Sequence, residues 1–293
     1  MFYAITSKRK GCGRSTLALL SSMMVYNKTQ GSTLLVDLSS NNDFCSLLNI
    51  KTTASIDNVI SAIALDSGDI DLENNVVHTG SFYLLPGTAV KQPRYLEKRC
   101  NDIVKLLQSV ETKFNSIILD VDYSLYGDLV DCGLDIVPIH VLEQNMLNIA
   151  GYHRDIQSQL FEGYYVVNRF EKAVFPSFDL FQKNFQKKSL IFVDSDSSLK
   201  TSLNRKSIDV PMIKGSKVYK GISQIADVIC DNRNIVETEF QTENVKRVGG
   251  SFFSRLFGRK SSKPSQPKKS GPKKVASKAT KGYRKKNARG REE

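Results

Sequence analysis

The chain has 293 residues, 40% of them hydrophobic, enough for one large or two small soluble domains. Its net charge of +12 is unevenly placed: residues 246–293 hold 17 Lys and Arg against 2 acids, so residues 1–245 carry a net −3. No apolar run reaches the length of a membrane span, Met1-Phe2-Tyr3 opens no signal peptide, and five scattered cysteines fit a reducing compartment rather than a disulfide framework. No Cys/His cluster has metal-ligand spacing, and His78, His140 and His153 stand apart as ordinary polar residues.

The first predicted element is a short apolar strand, Phe2-Tyr3-Ala4-Ile5. It runs into Thr6-Ser7-Lys8-Arg9-Lys10-Gly11-Cys12-Gly13-Arg14-Ser15-Thr16, and a helical run from Leu17 to Met24 follows. Strand, glycine loop and helix is the layout of a phosphate-binding loop, in which curled backbone N–H groups and the helix N-terminus face an anion. Against the pattern G-x-x-x-x-G-K-[ST], Gly13 holds the second glycine and Ser15 the hydroxyl, while Lys8 replaces the first glycine and Arg14 the lysine. Taken alone, the same stretch also reads as a basic glycine turn opening a helix.

Residues 33–37, Thr-Leu-Leu-Val-Asp, read as a buried parallel strand ending in an acid, and 82–85 as another short strand before Pro86-Gly87. Residues 94–112 have helical spacing, and Phe114 to Asp120 is a second apolar run ending in an acid. Further strands are predicted at 136–141, 164–168 and 190–193, with helices at about 145–160 and 222–230. Apolar strands alternating with helices predict an α/β fold, a mostly parallel sheet covered on both faces. Ligands in such sheets bind at the C-terminal strand ends, where the glycine loop, Asp37 and Asp120 converge. A carboxylate there can hold magnesium or orient an attacking water; in the plainer alternative both acids only cap strand ends.

These residues resemble the MinD/ParA family of deviant P-loop ATPases, whose loop reads K-G-G-x-G-K-[ST]-T. Leu34-Leu35-Val36-Asp37-Leu38 resembles the family's second strand, and Ile117-Ile118-Leu119-Asp120 its Walker B strand. Within the family, Gly11-Cys12-Gly13-Arg14-Ser15-Thr16-Leu17-Ala18 is most similar to the TadZ/CpaE branch, which helps place tight-adherence (Tad) pilus machinery at a cell pole. Leu84-Leu85-Pro86-Gly87, Val166-Val167-Asn168-Arg169 and Phe192-Val193-Asp194-Ser195-Asp196 add weaker echoes. The resemblance covers about residues 2–230. It implies a P-loop fold, a homodimer, and ATP with Mg²⁺. It implies nucleotide contacts from Arg9, Lys10, Gly11, Cys12, Gly13, Arg14, Ser15, Thr16, Asn168 and Arg169, with the Asn168 side chain facing adenine. Ser15, Asp37 and Asp120 are the implied Mg²⁺ residues, and Asp37 and Asp120 the candidate catalytic carboxylates.

The departures point to a degenerate site. Arg9 falls on the signature lysine that reaches the partner's phosphates, and Lys10 adds a side chain where the family has the first of two paired glycines. Arg14 replaces the lysine that meets the β- and γ-phosphates, and Ser39 stands where active relatives have a second acid. Nucleotide binding with weak or absent hydrolysis is the expectation.

The body is expected to span residues 1–245. Within residues 246–260, Phe252, Phe253, Leu256 and Phe257 would share one face of a helix, with Arg255, Arg259 and Lys260 around the other side. Such a helix suits a lipid interface and resembles the membrane-targeting helix of the MinD branch; the alternative is a helix docked on the protein's own body. Residues 261–293, rich in Ser, Pro, Gly and Lys, cannot bury a core and are expected to be disordered. They would serve as a solubilising extension, bind anionic lipid, or bind nucleic acid through phosphate charge.

Three functions compete on this basis. One is a TadZ/CpaE-like localisation factor in the bacterial cytoplasm, peripheral on the anionic inner-membrane surface at a pole, partnered with pilus secretion components. Another is a ParA-like partition ATPase holding DNA nonspecifically. The third is an active small P-loop enzyme, against which Arg14 and Ser39 argue.

Overall fold

The structure, a computed structural model, describes residues 1–65, 72, 74–92, 94–157, 163–185, 190–205 and 213–241. The amphipathic stretch at 246–260 and the basic segment at 261–293 lie outside the described residues. Among the described residues, no helix is long and apolar enough to cross a membrane.

Eight strands form one sheet: β1 (Phe2–Thr6), β2 (Thr33–Leu38), β3 (Val77–His78), β4 (Tyr83–Leu85), β5 (Ser116–Val121), β6 (Ile136–Glu143), β7 (Tyr164–Phe170) and β8 (Leu190–Asp194). Their order is β3-β4-β2-β5-β1-β6-β7-β8, parallel throughout except for the two-residue edge strand β3, which runs antiparallel to β4. The helices are α1 (Arg14–Thr29), α2 (Phe44–Leu47), α3 (Ile56–Ala64), α4 (Cys100–Val110), α5 (Tyr123–Asp131), α6 (Met146–Gln157), α7 (Phe178–Asn184), α8 (Ser197–Asn204) and α9 (Tyr219–Gln241). A 3₁₀ turn, Glu97–Arg99, leads into α4.

The strands are apolar without interruption because both faces of the sheet are covered. Successive side chains of β1 point to opposite sides. Tyr3 and Ile5 join Leu35, Ile118 and Val137 in a core closed by α1, α8 and α9. Phe2 and Ala4 join Leu34, Val36, Ile117 and Leu119 in a second core closed by α3, α4 and α5. A smaller cluster under α6 and α7 gathers Leu142, Tyr152, Tyr165, Phe170 and Phe181.

The helix expected over 94–112 begins later, at Cys100, because Arg94 has a left-handed backbone (φ 56°) and the chain then makes a 3₁₀ turn. The helix expected over 222–230 is longer, spanning Tyr219–Gln241. Its start depends on Gly221: a Cβ there would lie 2.5 Å from the Phe192 carbonyl oxygen, so α9 packs directly on the β8 backbone.

Candidate nucleotide site at the strand ends

The loop between β1 and α1 is held by contacts to distant strands. Ser7 Oγ donates to the Val141 carbonyl (2.8 Å) and accepts from Arg9 N–H (3.2 Å). Lys8 N–H donates to the Tyr152 hydroxyl (3.0 Å). The Lys8 ammonium lies 4.9 Å from the Tyr152 ring centre and 5.2 Å from that of Tyr123, within cation–π range. Beneath them sits His140, fully buried among Tyr126, Tyr152 and Tyr165. Burial, with the Lys8 charge nearby, lowers the His140 imidazole to about 3. His140 is therefore a neutral core residue, where the sequence suggested an ordinary polar one standing apart.

Gly11 (φ 81°) and Gly13 (φ 89°) both take left-handed backbone conformations, which curl the loop onto the start of α1. Among the described residues, nothing in the protein accepts from the N–H groups of Gly11, Gly13, Ser15 or Thr16. Unengaged amides at the head of a 16-residue helix form a cradle that suits a phosphate. The loop's rear is closed by β7. Asn168 Nδ2 donates to the Cys12 carbonyl (2.8 Å), and Arg169 Nη1 donates to the Gly11 carbonyl (3.2 Å). A Cβ on Gly13 would stand 2.3 Å from Asn168 Nδ2. Asn168, expected to face adenine, thus contacts the loop backbone in this structure. Cys12 is buried, and burial pushes its thiol up.

Arg14 does not extend along the loop. Its Nε donates to Asp120 Oδ1 (2.6 Å) and its Nη1 to Asp122 Oδ1 (2.6 Å), with the side chain 12% exposed. One guanidinium therefore bridges the end of β5 and the residue that precedes α5. Burial opposes the Arg14 charge, but Asp120 and Asp122 outweigh it and raise the pKa further. Burial likewise works against ionising Asp122, yet Arg14 and the Ser40 N–H (3.2 Å) hold its carboxyl below the usual range. At the more deeply buried Asp120, burial wins: the carboxyl is pushed up despite Arg14 and the Ser15 hydroxyl.

Asp37 and Asp120 are direct neighbours in the β2–β5 ladder. Asp37 Oδ1 accepts from the Ser39 N–H (3.0 Å) and the Ser39 hydroxyl (2.6 Å). Ser39 is itself buried and is a double donor to this carboxylate. Gly87 presses against the same carboxylate: a Cβ there would lie 2.9 Å from Asp37 Cγ. Burial first, and the Asp120 charge second, push Asp37 up to about 7.

Among the described residues, no three His, Cys, Asp or Glu side chains stand together as a metal set. Asp37 Oδ2 and Asp120 Oδ2 are nevertheless buried with no protein partner. Two such oxygens beside the Ser15 hydroxyl fit the donor set of Mg²⁺, whose remaining ligands would be water and phosphate oxygens. Bound there, the ion would neutralise phosphate charge.

Ahead of the loop opens a cleft of about 880 Å³, with Lys8, Lys10, Arg14, Lys91 and Arg94 on its walls against Glu97 and Asp122. The surplus of positive charge suits an anionic occupant. Among the sequence-derived candidates, the structure brings together Lys10 to Thr16, Asp37, Asp120, Asn168 and Arg169. Arg9 does not line this cleft and borders a separate hollow with Leu147 and Tyr152. Sequence reasoning missed Asp122, Ser7, Tyr152 and Gly87. Asp122 had a visible signal, the Asp-x-Asp spacing after a strand; Gly87 closed the Leu84-Leu85-Pro86-Gly87 echo without being given a role, and Ser7 and Tyr152 depend on contacts no local pattern carries.

The Asp37 environment has a measurable consequence. The native state keeps a proton on Asp37 that the unfolded chain releases from about pH 4 upward. Asp37 therefore lowers stability progressively as pH rises from about 4 to about 7, and by a constant amount above that. Asp37→Asn keeps the acceptor for Ser39 and removes the titration. Urea unfolding should show the variant more stable by about 2–4 kcal/mol at pH 8 and equal to the parent near pH 4.

No family model and no curated protein matches the sequence. Solved structures do match the fold. The ParA family ATPase from Chlorobium tepidum TLS is 15% identical with a TM-score of 0.61, covering 77% of this chain and 98% of its own. MinD in the Aquifex aeolicus MinC:MinD complex is 14% identical with a TM-score of 0.61, covering 78% and 96%. A plasmid partition protein from Borrelia burgdorferi B31, crystallised with AMPPNP, is 15% identical with a TM-score of 0.57, covering 76% and 97%. MinD from Pyrococcus horikoshii OT3 was crystallised with Mg-ADP and has a TM-score of 0.58 at 15% identity. With its eight-stranded, mostly parallel sheet flanked by helices, the chain has the MinD/ParA P-loop ATPase fold.

Proposed function

We propose that the protein is a nucleotide-binding member of the MinD/ParA superfamily with weak or absent hydrolysis, acting as a localisation factor at a membrane surface. The finer assignment is a TadZ/CpaE-like role: a homodimer on the cytoplasmic face of a bacterial inner membrane, at a pole, that helps assemble a Tad pilus secretion system. The carrying observation is the Arg14 bridge to Asp120 and Asp122. A guanidinium anchored on two carboxylates is pulled away from the β- and γ-phosphate positions, and its plane lacks the compact charge of lysine. Ser39 supplies hydroxyl and amide donors to Asp37 and no carboxylate to position water.

The amides at the α1 terminus and the cationic cleft support binding of ATP, and the fit of Asp37, Asp120 and Ser15 supports Mg²⁺ with it. Two relatives of the same fold were crystallised with AMPPNP or Mg-ADP, and one with a protein partner, MinC. Calorimetry with a non-hydrolysable ATP analogue should detect binding, while steady-state turnover stays at least about tenfold below an intact family ATPase. Turnover equal to an active relative, lost on Asp120→Ala, would refute the degenerate-site reading.

Membrane attachment is the part of the proposal that residues 246–293 carry. Phe253→Glu with Phe257→Glu should release the protein from anionic vesicles even at low salt, because it removes apolar burial and adds repulsion. Deleting 261–293 should leave some binding with lower salt sensitivity. Vesicle flotation across a salt series reads both. A second reading, a ParA-like partition ATPase, is favoured by the basic segment and by the likeness to a plasmid partition protein. If the double Glu variant floats like the parent and the intact chain shifts DNA in a gel, that second reading replaces the first.

A further inference from the structure

Away from the nucleotide site, two of the five cysteines meet. Cys100 and Cys132 lie 32 positions apart in sequence, and their sulfurs are 3.3 Å apart. Both are free thiols, Cys100 buried and Cys132 exposed. Each sits on anchored backbone. Cys100 opens α4, and Cys132 closes α5, its N–H donating to the Asp128 carbonyl (3.0 Å). Gly133 then turns left-handed (φ 87°) and fixes the helix end. Beside the pair is a hollow of about 460 Å³ walled by Arg94, Lys98, Asp128 and Asp131, open to a small charged reactant.

We propose that Cys100 and Cys132 are a modification site, a dithiol that closes reversibly to an intramolecular disulfide with a small disulfide oxidant of the glutathione type. Sulfurs 3.3 Å apart must close by roughly 1.2 Å to reach the S–S bond length of about 2.05 Å. The exposed Cys132 thiolate attacks one sulfur of the oxidant, whose other half leaves as a thiolate and takes up a proton. Cys100 then attacks Cys132 Sγ in the mixed disulfide, passing its own proton to the second departing thiolate. Two protein thiols are oxidised, and one oxidant disulfide is reduced to two thiols. The order is fixed by environment. Burial, followed by the neighbouring Cys132 sulfur, pushes Cys100 up to about 12, so Cys100 resolves and does not initiate. In a reducing compartment the pair stays open and closes only as the thiol pool is oxidised.

The bond would bear on one wall of the cationic cleft. Glu97 and Arg94 line both the hollow and the cleft, and Glu97 Oε1 already accepts from Ser124 Oγ (2.9 Å) at the start of α5. Closure would add a second tie at the other end of that helix.

The native full chain is equilibrated across a series of reduced-to-oxidised glutathione ratios, quenched with an alkylating agent, and counted for free thiols. Peptide mass mapping identifies the linked sites. The expected result is a drop from five thiols to three, a linked Cys100–Cys132 peptide, and a melting midpoint raised by about 5 °C, reversed by dithiothreitol. Cys132→Ser, at an exposed position, should keep the reduced midpoint at every ratio. Glutathione retained on Cys132, a Cys132–Cys132 link between two chains, or a Cys100–Cys132 link formed only in denaturant would each overturn the proposal.

Discussion

Arg14→Ala is expected to destabilise the ligand-free protein by about 3–5 kcal/mol at pH 7, the cost of leaving a buried ionic group uncompensated. Arg14 is the cation that Asp120 and Asp122 both bind, and Asp37 stands beside Asp120 in the same layer. Without the guanidinium, the buried Asp37 and Asp120 and the half-buried Asp122 share one corner, and their native-state pKa values rise together. The sign of the pH dependence follows. The unfolded carboxyls ionise near pH 4, so the penalty grows as pH rises above that value and shrinks below it. Urea midpoints from pH 4 to pH 8 should therefore converge with the parent at the acid end. Arg14→Lys separates charge from geometry, since one ammonium cannot span both acids as the planar fork does. A parent-like midpoint for Arg14→Ala at pH 8 would show that the bridge carries no net stability.

Gly13→Val should abolish nucleotide binding, lowering affinity by at least about 100-fold in calorimetry, which is about 2.7 kcal/mol. A side chain here meets two obstacles. The backbone sits at φ 89°, which costs a β-branched residue about 1–3 kcal/mol, and the first added carbon would stand 2.3 Å from Asn168 Nδ2. Either the loop or the Asn168 side chain must move, and the amide cradle moves with it. Combining Gly13→Ala with Asn168→Ala relieves the clash and leaves the backbone strain. That pair should cost less than the sum of the two single changes. Unchanged affinity in Gly13→Val, with circular dichroism confirming a folded chain, would mean that the loop is only a turn.

The body's strands were legible because covered parallel strands are written as unbroken apolar runs; Leu34–Val36, Ile117–Leu119 and Val166–Val167 announce themselves. The edge strand Val77–His78 was not, since one half-buried and one exposed residue carry no period. Short helices such as Phe44–Leu47 and Phe178–Asn184 escaped for the same reason. At the site, glycine spacing located the loop, and strand-terminal acids located Asp37 and Asp120. Where Arg14 points was not readable. Its partners lie 106 and 108 residues away, and the choice between phosphate cradle and carboxylates is made by the register of β1 against β5. Asn168 is a similar case: its partner carbonyl is 156 residues distant.

Helix α1 differs from an ordinary surface helix in having nine consecutive residues, Leu17 to Val25, fully buried. The sheet covers one side of it and α9 another, and Gly221 seats α9 directly on β8. Buried along that stretch, the amide protons of its later residues, up to Val25, should exchange with deuterium only when the whole sheet opens, far more slowly than those of α5 or the loop ahead of it. The phosphate cradle is thus mounted on a segment expected to exchange slowly. An occupant meets a preset ring of donors and loses little free energy to ordering them. Any movement the occupant provokes must come from the opposite wall of the cleft, where Lys91 and Arg94 are carried on irregular chain ahead of the 3₁₀ turn that holds Glu97.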